Sequence, residues 1–332
     1  MRRIACLGLI AALLLGAGCT REPESGVPHE LAVQRRAQID SLRYRLHFDL
    51  PADRLTPVAA TETIRLHLAE SGTLGLDFRE GQTMVSSLSV NGENISIHAV
   101  NEHILIPKKY TRTGENELCL RFTAGSQSLN RRDEFLYTLL VPDRARTLFP
   151  CFDQPDLKAN YTLSLSVPEE WTAISNTYMT DEQTESADRK TIRFAETEPL
   201  STYLFSFVAG KFERTFARRG DRTISMYHRE TDPSRLAQQD EIFALVFDAL
   251  DYMEEYTGIP YPFAKYDFVV LPDFQFGGME HTGATLYNDR RIFLGTTPTT
   301  AELLDRAQLI SHETAHMWFG ATGQSHKTIA SL

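Results

Sequence analysis

The sequence predicts an α+β protein, with an N-terminal all-β sandwich followed by the first part of a domain that mixes strands with long helices. Two observations carry this prediction. Up to about residue 213 the chain is a succession of short segments in which apolar and polar residues alternate, the period of a strand with one buried face. After Arg218 the pattern changes to long runs free of Gly and Pro, interspersed with short apolar segments.

The elements follow in order. Met1-Arg2-Arg3, the apolar run Ile4 to Leu15 and the small residues Gly16-Ala17-Gly18 read as a secretory signal peptide over 1–19. Cys19 in that setting resembles a bacterial lipoprotein processing site. The chain is therefore expected to be exported, to the periplasm or to a lipid anchor in the envelope, touching a membrane only through a lipid on Cys19. Residues 20–30, with Glu22, Pro23, Glu24, Gly26 and Pro28, form a polar tether with nothing to bury.

The β domain is expected over 31–213. Leu42, Tyr44, Leu46, Phe48 and Leu50 alternate with polar residues, and Ile64-Leu66-Leu68, Leu74-Leu76-Phe78, Leu118-Leu120-Phe122 and Tyr161-Leu163-Leu165-Val167 repeat the pattern. Asn91-Gly92 between two apolar segments marks a hairpin. The last strand is expected at Tyr203 to Phe212, an apolar run suited to burial on both faces. In the second domain, 214–332, Thr223 to His228 reads as a strand. Asp232-Pro233 caps a helix over Leu236 to Tyr256 that ends at Gly258. Strands follow at Tyr266 to Leu271, Thr285 to Tyr287 and Arg291 to Leu294, and Thr299 or Thr300 caps a second helix reaching Gly320.

Composition limits the function classes. With 42% hydrophobic residues the chain can bury real cores, and a net charge of −10 without a Lys/Arg cluster argues against nucleic-acid binding. Cys119 and Cys151 could form a disulfide in an oxidising compartment, although the strand-like setting of Cys119 favours two buried thiols.

The chemistry is concentrated near the C-terminal end. His312-Glu313-Thr314-Ala315-His316 places two imidazoles about 40° apart on one helix face, where both can reach a single metal ion. Glu313, one step round, is the candidate base that takes a proton from water and returns it to the leaving amine. A redox-inert Lewis acid with imidazole ligands points to zinc. Phe319 and Thr322 stand where a metzincin-type helix needs Gly and a third His, so a further ligand must come from elsewhere. A second motif, Gly277-Gly278-Met279-Glu280-His281, combines glycines that admit a close backbone with a carboxylate that can hold an α-ammonium group.

Together these motifs resemble the aminopeptidase N family of gluzincin metallopeptidases. Gly277 to His281 is similar to its Gly-x-Met-Glu-Asn segment, and His312 to His316 with Met317-Trp318-Phe319-Gly320 to its zinc helix. Pro150-Cys151-Phe152-Asp153-Gln154-Pro155 resembles a segment of its N-terminal β domain, with a packing role expected for it here. The resemblance implies a saddle-like β domain, a thermolysin-like catalytic domain and one zinc per chain held by His312 and His316. It also implies Glu313 as general base, Glu280 as the group recognising the substrate N-terminus, and Gly277, Gly278 and Met279 along the path of a peptide with a free N-terminus.

The sequence departs from the pattern at three places. His281 stands where the family has Asn, and Val141 where it often has a second amine-gripping Gln or Glu. The family's third zinc ligand, a Glu about nineteen positions after the second His, falls beyond Leu332. Residues 321–332 do not resemble the family's continuation, and His326 is a poor substitute ligand. The expectation is thus a C-terminally truncated member with an incomplete ligand set, weak or inactive as it stands. The rival readings are a non-catalytic peptide-binding or structural remnant, and an endopeptidase indifferent to Glu280.

Overall fold

The computed structural model describes residues 23–320; the expected signal peptide, Cys19, the first residues of the tether and the tail with Thr322 and His326 lie outside the described residues. Among the described residues the chain is α+β, as the alternation predicts. An eight-stranded sheet runs in the order Met179–Ser186, Arg189–Phe194, Asn160–Pro168, Ile39–Asp49, Ala59–Leu68, Gly114–Thr123, Val85–Val90 and Glu93–Asn94. Every neighbouring pair is antiparallel except Ile39–Asp49 with Asn160–Pro168. The hairpin turn is Asn91-Gly92, both with positive φ, as the right-handed twist of a two-residue hairpin demands.

Leu42, Tyr44, Leu46 and Phe48 face inward from one strand and Ile64, Leu66 and Leu68 from the next. They share a core with a four-stranded sheet, ordered Thr172–Ser175, Phe207–Gly210, Phe135–Thr138 and Leu129–Arg131, and with a three-stranded sheet around Leu74–Asp77. Ring contacts tie the layers: Phe48 lies 5.1 Å from Phe207, and Tyr161 stacks on Phe205 at 4.7 Å. Pro150 to Pro155 crosses this core. Cys151 bridges Asp77 through the backbone, the Phe152 amide donates to the Tyr44 hydroxyl at 3.0 Å, and the Asp153 amide donates to the Asp77 carboxylate at 2.9 Å. The segment thus packs the β layers together.

Several expectations are corrected. Helix α1 (His29–Gln38) stands where the tether and the start of the β domain were expected; its N-cap is Pro28 with no side-chain cap, and it is anchored by buried Arg35, whose guanidinium donates to Asp77 at 2.7 Å. The run Tyr203 to Phe212 is a tight turn at Thr202–Leu204 followed by a short, wholly buried strand, Phe207–Gly210. Both cysteines are free, but only Cys151 is fully buried, because Cys119 faces away from its core-directed neighbours Leu118 and Leu120. Among the described residues no helix is long and apolar enough to cross a membrane.

A mixed five-stranded sheet follows, ordered Glu213–Arg219, Arg222–His228, Phe268–Leu271, Thr285–Asn288 and Gly278–Met279. The expected first helix divides into α2 (Pro233–Leu236), capped by the Asp232 side chain, and α3 (Gln239–Thr257), ended by Gly258 in the left-handed conformation. Arg291 to Leu294 is not a strand. Asn288 caps a single helical turn, α4 (Asp289–Ile292), and Ile292 and Phe293 drop into the core beneath the sheet. The second expected helix, α5 (Thr300–Ala315), stops before Gly320, with residues 316–320 in turns. A further apolar cluster, including Tyr137, Leu139 and Val208 from the four-stranded sheet and Val269, Met279 and Leu286 from the five-stranded one, joins the two parts.

Candidate functional site

Helix α5 carries the site, and its sequence dictates how it sits. Thr299 and Glu302 form a complete capping box, which stabilises such a start by about 1 kcal/mol. Arg306, Ile310, Glu313 and Thr314 recur at helical spacing and form the buried face, leaving His312 exposed and His316 half-buried. The end of the helix is fixed by three contacts. The Tyr266 hydroxyl bonds the Thr314 hydroxyl at 2.8 Å, the Trp318 indole donates to the Ile259 carbonyl at 2.9 Å, and the Trp318 ring meets Tyr261 edge-on at 5.8 Å.

This places the two imidazoles in register. Their Nε2 atoms lie 3.1 Å apart with the rings perpendicular. Two nitrogens bound to one tetrahedral zinc at about 2.0–2.1 Å are separated by about 3.3 Å, so the pair is spaced for a shared ion. His316 Nδ1 lies 3.4 Å from the Phe319 carbonyl, an outer contact that orients Nε2 toward His312.

The Gly277 to His281 segment meets this helix from the sheet. Gly278–Met279 is the edge strand of the five-stranded sheet, paired on one side only, Gly278 with Tyr287 and Met279 with Leu286. Its free edge can accept an extended peptide. Gly278 has a second task that the sequence did not disclose: a Cβ there would stand 2.4 Å from the Glu313 carboxylate oxygen. The glycine is the seat of the Glu313 carboxylate. Gly277 is less constrained, its added Cβ meeting only the flexible Leu309 side chain at 3.3 Å. Met279 is buried in the joining cluster, and Val141 packs half-buried against the same cluster.

Glu280 follows immediately. Ligating atoms of Glu280, Glu313 and His316 all lie within 4.8 Å of one another. His312 stands outside that group and adjoins it through His316. Burial, followed by repulsion from Glu280, pushes the Glu313 carboxyl up to about 8, so without a cation it holds a proton near neutrality. The donor set suits a divalent ion, because a cation there relieves the like-charge contact and satisfies the imidazoles. His281 behaves differently. Its ring is completely buried, neither nitrogen has a hydrogen-bond partner among the described residues, and burial lowers its pKa to about 3. It is a core residue.

Sequence reasoning missed Tyr266 and Tyr287, which flank Glu313 from beneath, and Asn176, Tyr203 and Thr282, which join the Glu280 loop to the β layers. No local motif marks them, since their relation to the site exists only in three dimensions.

Known proteins resemble this sequence over both of its parts. Residues 243–323 match the model of the Peptidase family M1 domain, and residues 121–204 that of the Peptidase M1 N-terminal domain. A probable aminopeptidase 2 of Sulfurisphaera tokodaii is 32% identical over 57% of this chain and 26% of its own length. An aminopeptidase N of Streptomyces lividans is 29% identical over 90% of this chain and 36% of its own. An aminopeptidase N of Acetobacter pasteurianus is 28% identical over 90% of this chain and 84% of its own. The chain thus spans about a quarter to a third of the length of the first two.

Proposed function

We propose, from the premise that this chain belongs to the aminopeptidase N family, that it is built for zinc-dependent removal of N-terminal residues from peptides. One observation carries the reading: Glu280 and Glu313 lie beside His316, itself paired with His312, at the free edge of a short strand. His312 and His316 would hold the ion, which when bound supplies Lewis acidity toward water and the scissile carbonyl.

The chain's own residues do the rest. The free edge of Gly278–Met279 aligns the peptide backbone, and Glu280 pairs with its α-ammonium group, counting the cleavage point from the N-terminus. Glu313, pressed against Gly278, takes a proton from the attacking water and passes it to the departing amine nitrogen. A carboxyl whose pKa burial has already raised is suited to the second of these transfers.

The test is metal content together with hydrolysis of an aminoacyl reporter. About one zinc per chain, with cleavage abolished by Glu313→Gln and by blocking the reporter's amine, supports the reading. Cleavage of N-terminally blocked peptides that ignores Glu280→Ala identifies an endopeptidase instead. Zinc bound without turnover marks a site whose two imidazoles hold the ion but do not suffice for catalysis, and absence of both metal and turnover identifies a non-catalytic remnant. We further propose export directed by Met1 to Cys19, tested by the mass of the mature N-terminus.

A further inference from the structure

The carboxylate proposed to count the N-terminus sits on a loop that the β layers hold, and the side chain of Asn176 ties the two together. Asn176 follows the strand Thr172–Ser175 and is buried. Its Nδ2 donates to the Leu204 and Thr282 carbonyls, each at 2.9 Å, and lies 3.3 Å from the Thr282 hydroxyl. Its Oδ1 accepts from the Ser206 amide at 2.9 Å. A single carboxamide therefore uses both ends to join three segments: the end of a β-domain strand, the turn bearing Tyr203, and the loop two residues after Glu280.

The contact is tight from the loop side as well. Gly283 has φ +69°, and a Cβ there would stand 2.1 Å from the Asn176 carbonyl oxygen. Lys265, itself buried and paired with Asp267 at 3.0 Å, donates to the Gly283 carbonyl. Within the loop the Ala284 amide bonds the His281 carbonyl at 3.1 Å. Glu280 thus has little slack relative to the β layers, whereas Glu313 is carried by α5, a separate element. The distance between the two carboxylates depends on how this loop is pinned. Burial raises the phenol pKa of Tyr203, on the turn that Asn176 holds, and the charge of nearby Glu280 adds to that rise.

We propose that Asn176 is a positioning residue for amine recognition, fixing the Glu280 loop and the Tyr203 turn in register through the Thr282 carbonyl and the Gly283 contact. This rests on the aminopeptidase reading for what Glu280 recognises, but not for how the loop is held. Misplacement of a binding group by about 1 Å can cost on the order of a hundredfold, so the effect should be large for a free amine and absent for a blocked one.

The test uses the full chain carrying Asn176→Asp, which keeps the acceptor toward Ser206 and replaces the donor with an acceptor facing two carbonyls. Hydrogen exchange of the peptide covering 280–285 is compared with that of Ile39–Asp49. Binding of L-leucine hydroxamate to the zinc-loaded protein is compared with binding of its N-acetyl form. The expected result is exchange about tenfold or more faster at 280–285 alone, with preference for the free amine reduced about tenfold or more. Thr138→Val, which removes the buried hydroxyl that accepts from the Phe207 amide at 3.0 Å in the same β layer, should lower stability and leave that preference intact. Unchanged exchange at 280–285, or faster exchange with preference intact, overturns the proposal. If the wild type shows no preference, the aminopeptidase reading fails and the exchange result alone decides whether Asn176 fixes the loop. If Asn176→Asp does not fold, Asn176→Ser and Gly283→Ala perturb the same contact from its two sides and are read by the same criteria.

Discussion

Replacing Glu313 with Gln should make the metal-free protein more stable, and more so as pH rises. The carboxyl titrates at about 8 in the fold against an ordinary 4.5, so the folded state holds its proton more tightly than the unfolded chain does. Stability from this group is fully present below pH 4.5 and is lost as pH rises through about 8. At pH 7.5 the upper bound is three units at about 1.36 kcal/mol each, or about 4 kcal/mol. Some remaining solvent contact reduces this to about 2–4 kcal/mol. At pH 5 the same arithmetic leaves under about 1 kcal/mol. Gln has the same shape, so the Gly278 contact is kept and no cavity opens. Urea unfolding of both proteins in a chelator at pH 5, 6.5 and 8 should show curves that diverge with pH, and zinc should restore the wild type by binding the folded state. Parallel pH dependences, or a variant less stable at pH 8, would refute the placement of Glu313 in a dry site beside Glu280.

Other substitutions separate the roles of neighbouring groups. His281, neutral in the fold down to about pH 3 and ordinarily titrating at 6.5, costs stability as pH falls through that window. At pH 5 this amounts to about 2 kcal/mol, and thermal melts of His281→Leu should lose that acid sensitivity. Gly278→Ala forces a methyl group to 2.4 Å from the Glu313 oxygen and should reduce any Glu313-dependent hydrolysis about a hundredfold, whereas Gly277→Ala, against mobile Leu309, should cost far less in the same assay. Glu62 is buried with both carboxylate oxygens lacking hydrogen-bond partners among the described residues, and burial holds its carboxyl well above the usual range. Glu62→Leu should therefore raise stability at pH 7 by about 1–3 kcal/mol in denaturant unfolding.

What could be read from the linear chain was whatever repeats at short range. Strands such as Ile39–Asp49 declare themselves by alternation, and α5 by its cap and helical spacing. Helix α1 was illegible because its N-cap contributes no side-chain bond and its one buried residue, Arg35, is held by an Asp far along the chain. Glu62 defeats the alternation rule by putting a carboxyl where an apolar side chain belongs. At the site, His312 and His316 are neighbours on one helix, so their geometry follows from the motif. The approach of Glu280 to Glu313 depends on an edge strand meeting a helix, and the role of Asn176 on a contact between sequence-distant segments. Those relations are products of tertiary packing and leave no periodic trace.

Zinc titration into the metal-free chain, followed by calorimetry for the wild type, His312→Ala and His316→Ala, addresses the central claim most directly. About one ion per chain is expected for the wild type, with affinity lost on removing either imidazole and with a binding heat that varies with the buffer's ionisation enthalpy below about pH 8, where Glu313 holds a proton to give up. Undiminished zinc binding in both variants, or none in the wild type, would contradict it.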